Sequence, residues 1–485
     1  MLNKEAERAL DIATGLGASY ADVRIIESDS QSIDTKNHRV SGVHYGASLG
    51  IGVRVLFKGG WGFAATQDLS AKGSETVAKM AVEIAKASAS CMDKPVVLAA
   101  EPVHVAEWNS PCGKDPFAVS LDTKIALLLN CAKSMLSVKG VTLALGSLEF
   151  IRDKKYFASS EGSRITQLAY RSGCGIEAHA SGNDDKQKRS YPNSFGGQWE
   201  LAGWEMVERW NLPGNAQRVG EEAVALLSAP ACPEKTSDII VGASQLGLQV
   251  HESCGHPCEL DRALGQEINL AGASFLTPDK LGKFQYGSTL VNLVADATEV
   301  GSLGSFGFDD EGVEAQRTFL IKDGIFCGYL SSRDTAAAIG LKRSGGDMRA
   351  ESWDSVPIIR MTNINLLPGN AGSLEQLISD TKDGILLETN RSWSIDQLRY
   401  NFQFSTECGW EIKNGKRGRL LKNASYGGIT PEFWNACDAI CGKEEYVNWG
   451  VPNCGKGQPE QTMWTGHGAS PARFRNIKVG MAHNV

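Results

Sequence analysis

The chain has 485 residues, 42% of them apolar and 22% charged, and a formal net charge of −7. That length and balance predict two or three soluble globular units with sizeable cores. An acidic chain without a long basic run excludes non-specific binding to nucleic acid or to an anionic membrane.

No stretch approaches the roughly 20 apolar residues needed to span a bilayer. The charged start, Met1-Leu2-Asn3-Lys4-Glu5, lacks the apolar region of an export signal. Twelve cysteines in such a chain read as reduced thiols in a cytoplasm. Residues 2–16 predict an amphipathic helix stopped by Gly15 and Gly17. Strand-like runs follow at 21–28, 41–46 and 50–57, and Lys58-Gly59-Gly60 turns the chain into a run at 61–65. Residues 71–90 form a long alanine-rich helix, and 101–116 an irregular connection. A helix over about 120–137 leads to strands at 141–147, 154–159 and 164–180. The polar segment 182–197 is expected to be mobile, and 204–227 to be helical with a break at Pro213-Gly214. A linker at 229–235, with Pro230 and Pro233, precedes a strand at 237–241 and a helix at about 244–264. Short strands and glycine turns fill the rest. Lys322-Asp323-Gly324 and Lys413-Asn414-Gly415 carry hairpin chemistry. The fold class is therefore α+β. An N-terminal α/β region, 1–230, divides into subdomains 1–100 and 110–230. A β-rich C-terminal domain, 236–485, holds a curved, barrel-like mixed sheet and carries the helix at 244–264.

That helix contains His251-Glu252-Ser253-Cys254-Gly255-His256. Two neutral imidazoles and an adjacent carboxylate are the parts of a hydrolytic zinc site, with the carboxylate as base toward a water. The common motif spaces its histidines four apart, on one helix face. Here they are five apart, which on a regular helix leaves them about 140° from each other. A single π-turn cuts that divergence to roughly 50°. Pro257, which has no N–H, and Gly255 favour such a break.

A catalytic zinc takes three protein ligands. The candidates for the third are Cys454, His467, Glu259, Asp261, Cys254 and Cys258. Glu259, three residues past His256, is placed to ligate or to orient a ligand. Cys254 points away from the mean direction of the histidines, and it and Cys258 read as packing. Cys454 sits in a glycine-rich turn, 451–458, where Lys456 would favour the thiolate. A rival is a structural site built from Cys437, Cys441 and Cys454.

Further stretches carry a resemblance. These are His251-Glu252-x-x-x-His256-x-x-Glu259-x-Asp261, Phe308-Asp309-Asp310-Glu311-Gly312, and Pro357-Ile358-Ile359-Arg360-Met361-Thr362-Asn363 with Leu367-Pro368-Gly369 after it. Cys454-Gly455-Lys456 and Gly50-Ile51-Gly52-Val53-Arg54-Val55 complete the set. Together they resemble the TldD/PmbA family, once called modulators of DNA gyrase, and within it the TldD-like zinc metalloprotease branch. The resemblance implies one Zn²⁺ per chain on His251, His256 and Cys454. It implies Glu252 as the base that hydrolyses peptide bonds of unfolded or extended peptides. It also implies a dimer with an enclosed cavity, formed with a second copy or with a zinc-free PmbA-like paralogue. Glu259, Asp261 and Arg360 are expected to orient ligands or bind substrate. His467 is expected to stabilise an oxyanion or to cap a turn. The acidic turn 309–311 is expected to bind peptide termini or brace the site. Two other readings are a non-catalytic binding subunit and a zinc hydrolase of non-peptide amides.

Overall fold

Long strands dominate the N-terminal half of the computed structural model, which describes residues 2–481 apart from Asn183 and Ala271. Tyr20–Lys36, Arg39–Phe57, Val141–Ser159 and Arg164–Gly182 lie side by side in an eight-stranded sheet. Each is roughly 55–65 Å long at about 3.3 Å per residue. At one end Val23, Ile25, Val53 and Val55 pack with helices Leu2–Gly15 and Ala71–Ala89. At the other, Ile33, Leu148, Phe150 and Ile176 pack with Leu121–Leu136 and Leu212–Ser228. One sheet thus runs through two separate cores. Ser70 and Ser120 start their helices by accepting the N–H groups of Gly73 and Thr123.

Several elements differ from the sequence reading. The runs at 41–46 and 50–57 are one strand, as are those at 141–147 and 154–159, because the intervening residues keep their ladder partners. Val105–Asn109, expected to be irregular, pairs in parallel with Arg164 to Leu168. Within the segment expected to be mobile, Asp185–Tyr191 is a strand paired with Ile176 to Gly182. Its Arg189 and Ser190 bind Glu407 across to the C-terminal half; Asn183 lies outside the described residues. The break in the helix at 204–227 falls at Asn211, whose φ is 45°. Pro213 occupies the first turn of the next helix, where its missing N–H is harmless.

In the C-terminal half, five strands close into a barrel. Lys235–Val241 runs parallel to Asp383–Ile395 and antiparallel to Ala472–Met481. Ala424–Ile429 and Asn401–Lys413 follow, and the last pairs with Asp383–Ile395 to complete the ring. Both expected hairpin turns form, with positive φ at Asp323-Gly324 and at Asn414-Gly415. Helix Ala243–Val250 leaves the first barrel strand through Gly242. Its Leu246 and Val250 share a core with Phe402, Phe404, Tyr426 and Phe474. Buried Gln245 donates to the Tyr426 hydroxyl at 3.0 Å, and that hydroxyl donates to Gln249 at 3.0 Å. These bonds fix the helix's rotation and so the direction in which residues 251–256 emerge. Ion pairs Arg54–Glu311, Lys155–Asp310 and Arg333–Glu161 tie the two halves together. No helix among the described residues is long and apolar enough to cross a membrane.

Candidate metal centre

Helix Ala243–Val250 runs into a single π-helical turn, His251–Gly255, and then one turn of 3₁₀ helix, His256–Cys258. The N–H of His256 donates to the carbonyl of His251, five residues back. This is the wider turn that a five-residue histidine spacing demands. The element expected at 244–264 is therefore a chain of short helical pieces. Gly255 is needed for space, since a Cβ there would run into the sulfur of Met361. The two imidazole centroids end 4.8 Å apart with their planes at 88°.

Cys454 arrives on strand Val447–Lys456, paired with Gln461–Ala469. The expected turn is thus a strand. An irregularity in register between Val451 and Cys454 re-aims the thiol, as bulges beside active sites do. Its Sγ lies 3.8 Å from His256 Nε2. One ligand atom from each of His251, His256 and Cys454 falls within 4.8 Å of the others. Arg360, fully buried, donates to the carbonyls of Cys454 and Gln461 and so holds this hairpin in place.

Burial pulls His251 down to about 4, with Glu252 opposing and Arg399 assisting. Burial likewise lowers His256. Both are neutral at pH 7, the state in which imidazole ligates. Burial alone would raise the Cys454 thiol. Arg360 and then His256 outweigh it and hold the thiol below its ordinary value. Lys456, expected in that role, turns away to Asp261 and to the carbonyl of Ile359, both at 2.8 Å.

Each histidine is braced from behind. Glu259 accepts from His256 Nδ1 at 3.0 Å and also meets Arg262 and Lys456. His467 Nε2 lies 2.6 Å from His251 Nδ1, and its own Nδ1 lies 3.3 Å from the carbonyl of Ile364. With Nδ1 hydrogen-bonded, each of these histidines has Nε2 left over for a metal. His467 is fully buried behind His251 and does not line the cavity that His251 and His256 share, so the geometry gives it an orienting position and not an oxyanion one.

Glu252 is carried on the same π turn and does not join the three ligand atoms. It lines a cavity of about 270 Å³ with His251, His256 and Cys454. Phe195, Trp393 and Trp449 form part of its wall. Arg399, from the loop before strand Asn401–Lys413, forms an ion pair with Glu252. The sequence reading did not find these four residues. They come from distant loops and strands, and no local spacing links them to the motif.

The remaining candidates lie elsewhere. Asp309 accepts three backbone N–H groups, while Asp310 and Glu311 pair with Lys155 and Arg54 of the N-terminal half. This turn braces the junction between the halves. Cys254 and Cys258 pack in the core with Tyr286. Cys437 and Cys441 belong to different core clusters, and among the described residues only His251, His256 and Cys454 group as a possible metal site. Two neutral imidazoles and a thiol held below its ordinary value are a donor set that fits a four-coordinate divalent ion with its fourth position open.

Known proteins share this architecture. A model of the PmbA/TldA metallopeptidase C-terminal domain matches residues 234–480. Models of domain 1 and of the central domain match residues 21–88 and 114–229. A metalloprotease of Methanocaldococcus jannaschii is 31% identical over 94% of this chain and 95% of its own. A metalloprotease of Methanothermobacter thermautotrophicus is 32% identical over 95% of each. The structure of TldE from Thermococcus kodakarensis superposes with a TM-score of 0.74 at 15% identity, covering 98% of this chain and 100% of that one, a likeness of fold. With all three domain models matched in order and nearly full-length relatives above 30% identity, the chain belongs to the PmbA/TldD family of metallopeptidases.

Proposed function

We propose that this protein is a zinc-dependent peptidase in which His251, His256 and Cys454 hold one Zn²⁺ and Glu252 is the general base. The observation that carries the reading is the convergence of two neutral imidazoles and a buried thiol beside a carboxylate, all lining one cavity. A thiolate with two imidazoles favours zinc over magnesium or calcium. When bound, the ion acidifies a water and polarises the scissile carbonyl. Glu252 takes the proton of the attacking water and delivers it to the leaving amine. His467 and Glu259 keep the ligand histidines in one tautomer and orientation. The recessed cavity favours extended or unfolded peptides over folded chains, and its aromatic wall suits apolar side chains.

We also propose that the protein works as a dimer, with itself or with a PmbA-like paralogue. Exposed Val40, Tyr45 and Leu49 on the far half of Arg39–Phe57 support an association surface there. Twelve cysteines without a disulfide among them support a reducing, cytoplasmic setting. The test is cleavage of an unstructured peptide against the same sequence inside a folded domain, with zinc supplied and with zinc chelated. Cleavage of the unstructured peptide alone, lost on chelation, supports the reading. Cleavage that survives chelation refutes it.

A further inference from the structure

Arg399 stands beside the candidate base in a conformation that its residue type disfavours. Its φ is 65°, a left-handed value that residues with a Cβ rarely adopt. The loop is pinned in that shape. The N–H of Arg399 donates to the carbonyl of Asp396 at 2.9 Å, and its own carbonyl accepts from Thr430 Oγ1 at 2.9 Å. The N–H of Tyr400 donates to Asp396 Oδ1 at 2.7 Å. Strained residues of this kind gather where a side chain must be delivered to a site.

The side chain so delivered is only 16% exposed. Its Nη1 pairs with Glu252 Oε2, its Nε is buried with no hydrogen-bond partner, and Nη2 makes no hydrogen bond among the described residues. Buried donors in folded proteins are normally satisfied. This guanidinium keeps spare donors and lines the same cavity as the three metal-site residues.

We propose that Arg399 is a catalytic residue that donates to the carbonyl oxygen of the bond being cut and to the oxyanion formed from it. The proposal rests on the peptidase reading above. As water attacks, its oxygen forms a bond to the carbonyl carbon and the π pair moves onto the carbonyl oxygen. The water's proton passes to Glu252, whose carboxylate becomes neutral. Arg399 therefore loses its anionic partner in the same step in which a new anion appears on the substrate. When the C–N bond breaks, the electron pair returns to rebuild the carbonyl, and the proton on Glu252 goes to the leaving amine. Arg399 then pairs with Glu252 again. Such a donor is worth more to the transition state than to the bound substrate.

The experiment uses the zinc-loaded full chain and two probes: a phosphinic peptide, which is a stable tetrahedral anion, and an ordinary peptide of the same sequence. Arg399→Met and Arg399→Lys are each made in the native protein and in a Glu252→Gln background. Metal content is measured for every variant, and binding is read by calorimetry. Arg399→Met is expected to weaken the phosphinic peptide about 100-fold in both backgrounds. It should change the ordinary peptide's affinity in the Glu252→Gln background by less than roughly threefold. Arg399→Lys, which keeps the charge but loses the fork, should recover part of the phosphinic affinity. Unchanged phosphinic affinity in the Glu252→Gln background overturns the proposal and reduces Arg399 to a positioning residue for Glu252. Equal loss for both probes, or loss of metal, also overturns it. A native, zinc-loaded protein that binds neither probe fails earlier, at the peptidase reading, and the proposal falls with it.

Discussion

Replacing Glu259 by glutamine separates two jobs that one buried carboxylate performs. Glu259 is fully buried, accepts from His256 Nδ1 at 3.0 Å, and lies 3.3 Å from Arg262 Nη2 and 3.4 Å from Lys456 Nζ. Burial would raise its pKa, but Lys456 and His256 outweigh it and hold the group well below the ordinary carboxylate range. It is therefore an anion facing two cations, with Asp261 as the other carboxylate on Lys456. Glutamine keeps the shape and an acceptor for His256 but removes the charge. Loss of a carboxylate behind a ligand histidine weakens metal binding about 10–100-fold, which is roughly 1.4–2.8 kcal/mol. Removing this charge from beside Arg262 and Lys456 costs about 3–5 kcal/mol of folding stability, the usual penalty for breaking a buried ion pair. The assays are competition for zinc against a chromogenic chelator, and urea unfolding of the metal-free protein. Both quantities should fall. Reduced stability with native zinc affinity would refute the orienting role of Glu259. Two unchanged quantities would refute the buried-charge argument itself.

Glu252→Gln should lower peptide hydrolysis about 10²–10⁴-fold, the usual contribution of a general base, and leave zinc content unchanged; loss of zinc would make Glu252 a ligand. Gly255→Ala should destabilise the fold by about 1–3 kcal/mol, because the added methyl meets Met361. Met361→Ala in the same chain should recover part of that loss, and a neutral Gly255→Ala would refute the spatial account of the π turn. Burial pushes Asp347 up from 3.8 to about 7. Between those values the native state keeps a proton that the unfolded state has lost, so stability falls as pH rises and stays low above about 7. At about 1.4 kcal/mol per pH unit the full loss is of order 4 kcal/mol. Asp347→Asn should flatten stability against pH across 4–7 in urea unfolding, and an unaltered slope would contradict the assignment.

The parts of the site that depend on local spacing were legible in the sequence. Histidines five apart, with Gly255 before the second and Pro257 after it, demand a wider turn, and the chain makes one. The helices over 71–90 and about 120–137 and the Asp323-Gly324 and Asn414-Gly415 hairpin turns were legible for the same local reason. Strand continuity was not. The exposed middle of Arg39–Phe57 shows little apolar alternation, and its order comes from partners far away in sequence. Asp185–Tyr191 reads as a mobile polar segment because its side chains serve a polar junction with Glu407 and Asn423. Lys456 is two residues from Cys454, but proximity in sequence says nothing of direction: its ammonium is drawn to Asp261 and to the carbonyl of Ile359, groups that no local spacing announces. Arg399 was invisible because its link to Glu252 spans 147 residues.

The most direct test of the account is the zinc content of the purified, reduced protein by elemental mass spectrometry, set against Cys454→Ala. About one zinc per chain is expected in the native protein, in line with a single three-ligand site, and little or none in the variant. A native chain that holds no metal after zinc is resupplied, or a variant that retains it fully, would contradict the metal centre on which the rest depends.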